Sequence, residues 1–160
     1  MFIKYNGEMN LIFKRFQREY YAEYAAWFVD PELNHELGPM DEEWLLAILS
    51  ETEEEGITWA VFREEEFVAV LETKFDPQNI LPVAITALAV KPTLRRQGIA
   101  KAVLVKLLAD QRIKGFGSHL CYIHMGNAAS RLLFESSGFV AVSQPDLNGY
   151  IEYRHNQDLR

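Results

Sequence analysis

The segment Val90-Lys91-Pro92-Thr93-Leu94-Arg95-Arg96-Gln97-Gly98-Ile99-Ala100 decides how this chain is read. Before it lies Val83 to Val90, a nearly continuous apolar run of the kind that forms a central strand covered on both faces. Lys91-Pro92 ends that run. Gly98 to Ile113 then has helical spacing, with Ile99, Val103, Leu107 and Leu108 on one face. A basic turn therefore joins a strand to a helix start. The first amides of a helix have no acceptor inside the helix, and the helix dipole gives them partial positive charge. Gly98 lets an anion approach the backbone, and Ala100 is small enough to do the same. Arg95 and Arg96 add charge-assisted donors. The arrangement predicts a cradle of main-chain N–H groups whose natural occupant is a pyrophosphate. The same residues also suit an ordinary helix start with two solvated arginines. The spacing is neither that of a Walker loop nor that of a dinucleotide fingerprint.

Outward from this turn the chain alternates strands and helices. Towards the N-terminus, Met9 to Phe16 reads as a strand and Arg18 to Phe28 as a helix. Asp30-Pro31 stops that helix, and a loop or short turn continues to Pro39. Asp41 caps a second helix carrying Trp44, Leu45, Ile48 and Leu49, which Gly56 ends. Thr58 to Arg63 and Phe67 to Phe75 read as a hairpin about an acidic turn, and Asp76 to Pro82 as a second connection. Beyond the helix, Gly115 and Gly117 break the chain and His119 to His124 is a strand. Ala128 to Ser137 is a short helix closed by Gly138, and Phe139 to Ser143 with Tyr150 to Arg154 forms a last hairpin. The expectation is one α/β domain over residues 1–160, with a right-handed crossover around Gly98.

The chain has 160 residues, 49% hydrophobic and 24% charged, ordinary values for a globular domain. Its net charge of -7 argues against nucleic acid and anionic membranes as partners and mildly favours a cationic one. Arg95, Arg96, Lys101 and Lys106 nevertheless make a local basic segment. The single cysteine, Cys121, excludes an internal disulfide and fits a reducing compartment; with scattered histidines it gives no zinc spacing, so no metal is expected. Met1 to Asn10 lacks the pattern of a signal peptide, and no apolar run is long enough to span a bilayer, so a cytoplasmic location is expected.

Two motifs resemble the GNAT superfamily of N-acetyltransferases. That family carries [Q/R]-x-x-G-x-[G/A] directly after an apolar strand ending in Val-x-Pro. Arg95-Arg96-Gln97-Gly98-Ile99-Ala100 after Val90-Lys91-Pro92 is similar to it. The family also places an Asn after the next strand and then a short helix ending in Gly-Phe. Asn127 followed by the segment to Gly138-Phe139 is similar to that. The match covers Val83 to Phe139. The stretch Asp30-Pro31-Glu32-Leu33-Asn34 between two helices resembles the branch containing ribosomal-protein N-acetyltransferases. The resemblance implies a mixed, mostly antiparallel twisted sheet of six to seven strands with about four helices and a splayed cleft. It implies acetyl-CoA, or CoA, as cofactor. The pantetheine would lie along the backbone of Leu88, Ala89 and Val90. The amides of Arg96, Gln97, Gly98, Ile99, Ala100 and Lys101 would hold the pyrophosphate, with Arg95 adding charge. Asn127 and Arg131 would touch the pantetheine or the nucleotide end, and Phe134 would flank it.

The implied reaction is direct attack of a primary amine, on a small molecule or a protein N-terminus, by a monomer or homodimer. A CoA-binding module without turnover is the alternative. The backbone N–H of Val90 would face the developing oxyanion. In relatives the general acid is often a Tyr seven residues after the motif Asn, where this chain has Phe134. In some, a Glu five residues before that Asn is the base, where this chain has Tyr122. Glu72, mid-strand beside the central strand, is a candidate base, and the same position suits a surface glutamate. Tyr122 is a candidate acid or hydrogen-bond donor, and suits a cleft wall equally. His124, His35 and Tyr150 are further candidates with ordinary structural readings, and Cys121 reads as a small buried apolar residue.

Overall fold

The computed structural model describes residues 9–76, 78, 82–109 and 118–155. The last four residues of the Gly98–Ile113 helix reading, the glycine break at 115 and 117, and most of the 76–82 connection lie outside them. In chain order the elements are β1 (Leu11–Arg15), α1 (Arg18–Trp27), α2 (Pro31–Leu37), α3 (Glu42–Ser50), β2 (Gly56–Arg63), β3 (Glu66–Lys74) and β4 (Val83–Val90). A 3-10 turn at Pro92–Leu94 leads to α4 (Ile99–Ala109), β5 (His119–His124), α5 (Ala128–Ser136), β6 (Phe139–Ala141) and β7 (Tyr150–His155). The seven strands form one sheet in the order β1-β2-β3-β4-β5-β7-β6. Every described pairing is antiparallel except that of β4 with β5.

The sheet is covered on both faces. Val103, Leu104 and Leu107 of α4 and Phe134 of α5 pack with Leu71, Val83, Cys121 and Tyr153. Tyr24, Trp27, Leu45 and Ile48 of α1 and α3 pack with Ala60, Phe67, Val70 and Ala89. The aromatic run of α1 therefore serves the core. Tyr24 alone lies edge-on to Phe16, Trp27 and Phe28, with ring centres 5.1–5.7 Å apart.

Two local readings need correction. Asp30-Pro31 does end α1, but it also begins α2 where a loop or short turn was expected, raising the described helices to five. Asp30 accepts from Leu33 N–H at 2.9 Å as an N-cap, and Pro31 stands at the first helical position, where its missing N–H costs nothing. At the other correction, α3 ends at Ser50, not at Gly56. Glu51 turns its carboxylate to Lys74, and Thr52 N–H donates to Glu55 at 3.0 Å, so residues 51–55 form a turn and Gly56 opens β2.

β4 carries a bulge. Glu72 pairs with Ala87 but Thr73 with Ile85, which leaves Thr86 unmatched. The extra residue resets the alternation. Ile85, Leu88 and Val90 join the α4-side core while Ala89 joins the α1–α3 side.

Candidate active site

Among the described residues two rungs join β4 to β5, Val83 with His119 and Ala84 with Leu120. Beyond them the strands part, and a cleft of about 720 Å³ opens between them. One edge of each strand is already used, β4 by β3 and β5 by β7. The other edge of each therefore faces the wedge. Lys91 N–H donates to Val68 C=O at 2.9 Å, towards β3. By strand alternation Val90 and Leu88 turn their N–H and C=O the opposite way, into the wedge. An extended ligand laid there would meet main-chain donors and acceptors as an added strand does.

The basic turn lies at the mouth of the same cleft. Arg96, Gly98, Ile99, Ala100 and Lys101 all line it. Arg96 and Gly98 both have left-handed φ, 63° and 77°, so successive amides turn to one side as a nest. Among the described residues nothing accepts from the amides of residues 96–101. The helical ladder begins one residue later, with Ala102 N–H on Gly98 C=O at 3.1 Å. A Cβ built on Gly98 meets nothing within 4 Å. The space beside Gly98 is therefore open.

Helix α2 closes the other side of the cleft, through Glu32, Leu33, Glu36 and Leu37. It is tied to both cofactor-loop candidates. Arg95 donates twice to Asp30, at 3.1 and 2.7 Å, and lies 3.5 Å from Glu32. Asn127 caps α5 by accepting from Ser130 N–H at 3.1 Å, and donates to Glu36 at 3.2 Å. The guanidinium of Arg95 and the Leu33 N–H hold the Asp30 carboxyl below the usual carboxylate range.

The remaining site residues divide by place. Leu88, Ala89, Val90, Arg95, Asn127, Phe134, Tyr122, His124, Tyr150 and Cys121 line the cleft; Gln97, Arg131 and Glu72 are absent from its lining. Gln97 accepts from Arg63 at 3.2 Å. Arg131 donates to Tyr153 at 3.2 Å and to Met125 C=O at 3.1 Å. Glu72 faces Trp44 and the α1–α3 core, and burial pushes its carboxyl up despite Lys74 and the Trp44 indole. Phe134 packs edge-on against Phe139, ring centres 5.1 Å apart. Burial alone pushes the Cys121 thiol up to about 12, so its nucleophilic thiolate is suppressed. His124 accepts from Gly126 N–H at Nδ1, 3.0 Å away, so that nitrogen already has a partner.

Tyr122 is 58% exposed and donates to Glu152 at 3.0 Å. That acceptor, and the Glu-bearing α2 wall, were not legible in the sequence. Glu152 is found only through the β5–β7 register, which sets it opposite Tyr122. Helix α2 did leave a signal in its Asp-Pro start.

The acetyltransferase (GNAT) family matches residues 12–139. Among solved structures, the chain is similar to the ribosomal-protein-S18-alanine N-acetyltransferase of Escherichia coli, with TM-score 0.67 and 18% identity over 91% of this chain and 93% of that one. It is similar to an acetyltransferase of Thermus thermophilus, with TM-score 0.76 and 14% identity over 92% and 97%. It is also similar to the PaiA N-acetyltransferase of Thermoplasma acidophilum in complex with coenzyme A, with TM-score 0.65 and 15% identity over 92% and 99%. Among curated protein sequences none matches at a significant level. By the family match, which spans most of its length, this chain belongs to the GNAT acetyltransferase family.

Proposed function

We propose that the chain moves acetyl from acetyl-CoA to a primary amine by direct attack, both substrates being bound together. The observation that carries this reading is the wedge that opens beyond the Ala84–Leu120 rung, with the amide nest of residues 96–101 at its mouth. The residues present suit the cofactor. The nest offers donors to a diphosphate, and Arg96 and Lys101 add positive charge beside it. Val90 and Leu88 offer backbone groups to an amide-bearing arm. When bound, acetyl-CoA supplies an activated acyl carbon.

The chain's own residues supply the rest. Val90 N–H, turned into the wedge, donates to the oxygen on which charge develops. Arg95, held by Asp30 and Glu32, fixes the loop against α2 rather than reaching for phosphate. The acceptor enters on the side walled by α2, Tyr122 and Tyr150, past Glu32 and Glu36. Those carboxylates suit a cationic amine. An α-amino group ionises near 7.7–8.0 and a lysine-type amine near 10.4, so the former offers more neutral nucleophile at neutral pH. The acceptor is a small amine or a protein N-terminus, and the reaction suits a cytoplasmic enzyme.

Free-thiol release from acetyl-CoA over a panel of amines, paired with calorimetric CoA titration, tests the reading. Turnover with at least one amine supports it. Phe134 and Tyr122, which lack the family's acid and base, favour a second reading, a CoA-binding module. Tight CoA binding with no thiol release would establish that alternative.

A further inference from the structure

We propose that Tyr122 and Glu152 form a proton shuttle that carries the acceptor's proton to the departing sulfur, with Glu152 as a positioning and proton-holding residue outside the cleft. This rests on the acetyl-transfer reading above. Tyr122 belongs to the cleft lining and Glu152 does not. The Tyr122 hydroxyl donates to Glu152 Oε1 at 3.0 Å. The two residues are paired in register across β5 and β7. Glu152 is fixed from two further sides. Its Oε2 accepts from Arg154 Nε at 3.1 Å, and its backbone N–H donates to Ser143 Oγ at 3.0 Å.

A phenol so held has its hydrogen committed to the carboxylate and its oxygen lone pairs left to accept a proton. That polarity suits accepting a proton from the cleft side while releasing one to the far side. As the amine nitrogen bonds the acyl carbon, an N–H proton passes to Tyr122 Oη, and the Tyr122 proton passes to Glu152 Oε1. As the carbon–sulfur bond breaks, the two transfers reverse and the proton ends on sulfur. The products are the amide and a free thiol, and both side chains return to their starting forms. The pair therefore supplies base and acid in turn, which explains how Phe134 can stand where a hydroxyl is otherwise found. The Glu152 acceptor also raises the Tyr122 phenol, keeping it protonated through the neutral range. The other titratable groups on this wall are His124 and Tyr150, with Arg154 behind Glu152 and Glu36 across the cleft.

The test compares wild type with Glu152→Gln, Glu152→Asp and Tyr122→Phe in thiol release, with CoA affinity measured in parallel. Gln keeps an oxygen acceptor for the Tyr122 hydroxyl, so a merely structural partner survives that change. The shuttle requires Glu152→Gln to lose about 10²-fold in kcat with KM little changed, to flatten the acidic limb of the pH profile, and to be partly rescued by Asp. Independently of turnover, 3-fluorotyrosine at position 122, followed by fluorine NMR in the free protein, should ionise at lower pH in the Gln variant. Wild-type turnover in Glu152→Gln, or an unmoved fluorotyrosine titration, overturns the shuttle. A wild-type chain that binds CoA but acetylates no amine also overturns it, leaving the cofactor site standing. Failure to bind CoA instead removes the acetyl-transfer reading itself.

Discussion

Arg95 and Asp30 lie 65 residues apart and join the cofactor turn to the N-terminus of α2 through two hydrogen bonds of 3.1 and 2.7 Å. One of these oxygens, Oδ2, also caps the helix by accepting from Leu33 N–H. One carboxylate thus fixes both the start of α2 and its distance from the amide nest.

Asp30→Asn separates these duties, because Asn caps a helix as well as Asp but carries no charge. The folded carboxyl of Asp30 is depressed, with Arg95 as the main cause. Its stabilising contribution is therefore complete above the unfolded value near 3.9 and is lost as pH falls through the lower folded one. In urea titrations Asp30→Asn should have the lower midpoint at neutral pH, and the difference should vanish in acid. A gap that persists unchanged at low pH would mean the charge is not its source.

Glu72 has the opposite sign. Burial raises its carboxyl, so its contribution is complete below the unfolded value near 4.3 and is lost as pH rises through the raised folded value. Glu72→Gln should be more stable than wild type at pH 8 and indistinguishable from it near pH 4. Because Glu72 does not line the cleft, turnover should survive the change; a hundredfold loss would restore it as the base.

At Gly98 two substitutions part strain from charge. With φ at 77° and open space around a built Cβ, Gly98→Ala should cost about 1 kcal/mol of stability from backbone conformation alone. Gly98→Asp adds a negative charge beside the nest and should abolish CoA binding while the domain stays folded by circular dichroism. Equal CoA affinity in calorimetry would place the diphosphate elsewhere.

Cys121 lines the cleft, yet burial holds its thiol near 12. At pH 8 it should resist a thiol reagent until the chain is unfolded, and Cys121→Ala should keep wild-type turnover. Acetyl on Cys121 in a mass spectrum during turnover would argue for a covalent route in place of direct attack.

Phe134→Tyr offers a second test of proton delivery. Alone it should leave turnover nearly unchanged, because the Tyr122–Glu152 pair already protonates the sulfur, and it should lower stability by about 1–3 kcal/mol through a buried hydroxyl. In a Tyr122→Phe background it should recover part of the lost activity. A large gain from the single change would show that protonation of sulfur limits the native enzyme.

Much of the fold was legible in the sequence because it is written locally. The apolar run of β4, the cap at Asp41 and the glycine at 98 each act within a few residues. What was hidden depends on pairing. Thr86 looks like one more strand residue, and only the β3 register makes it a bulge. Asp30-Pro31 was read as a stop because the preceding helix was the stronger signal, although the same dipeptide is a start. Arg95 looked free for an anion until α2 supplied its carboxylates. Glu152 sits 30 residues beyond Tyr122, and no spacing rule links them without the β5–β7 register.

The narrow β4–β5 junction has a mechanical meaning. Among the described residues, four strands on one side and three on the other meet through two rungs, so the sheet is two plates joined at one corner. Whatever lies extended between them acts as a splint. An acyl carrier bound there as proposed would thus also be a structural brace, and its binding should raise the melting temperature of the domain.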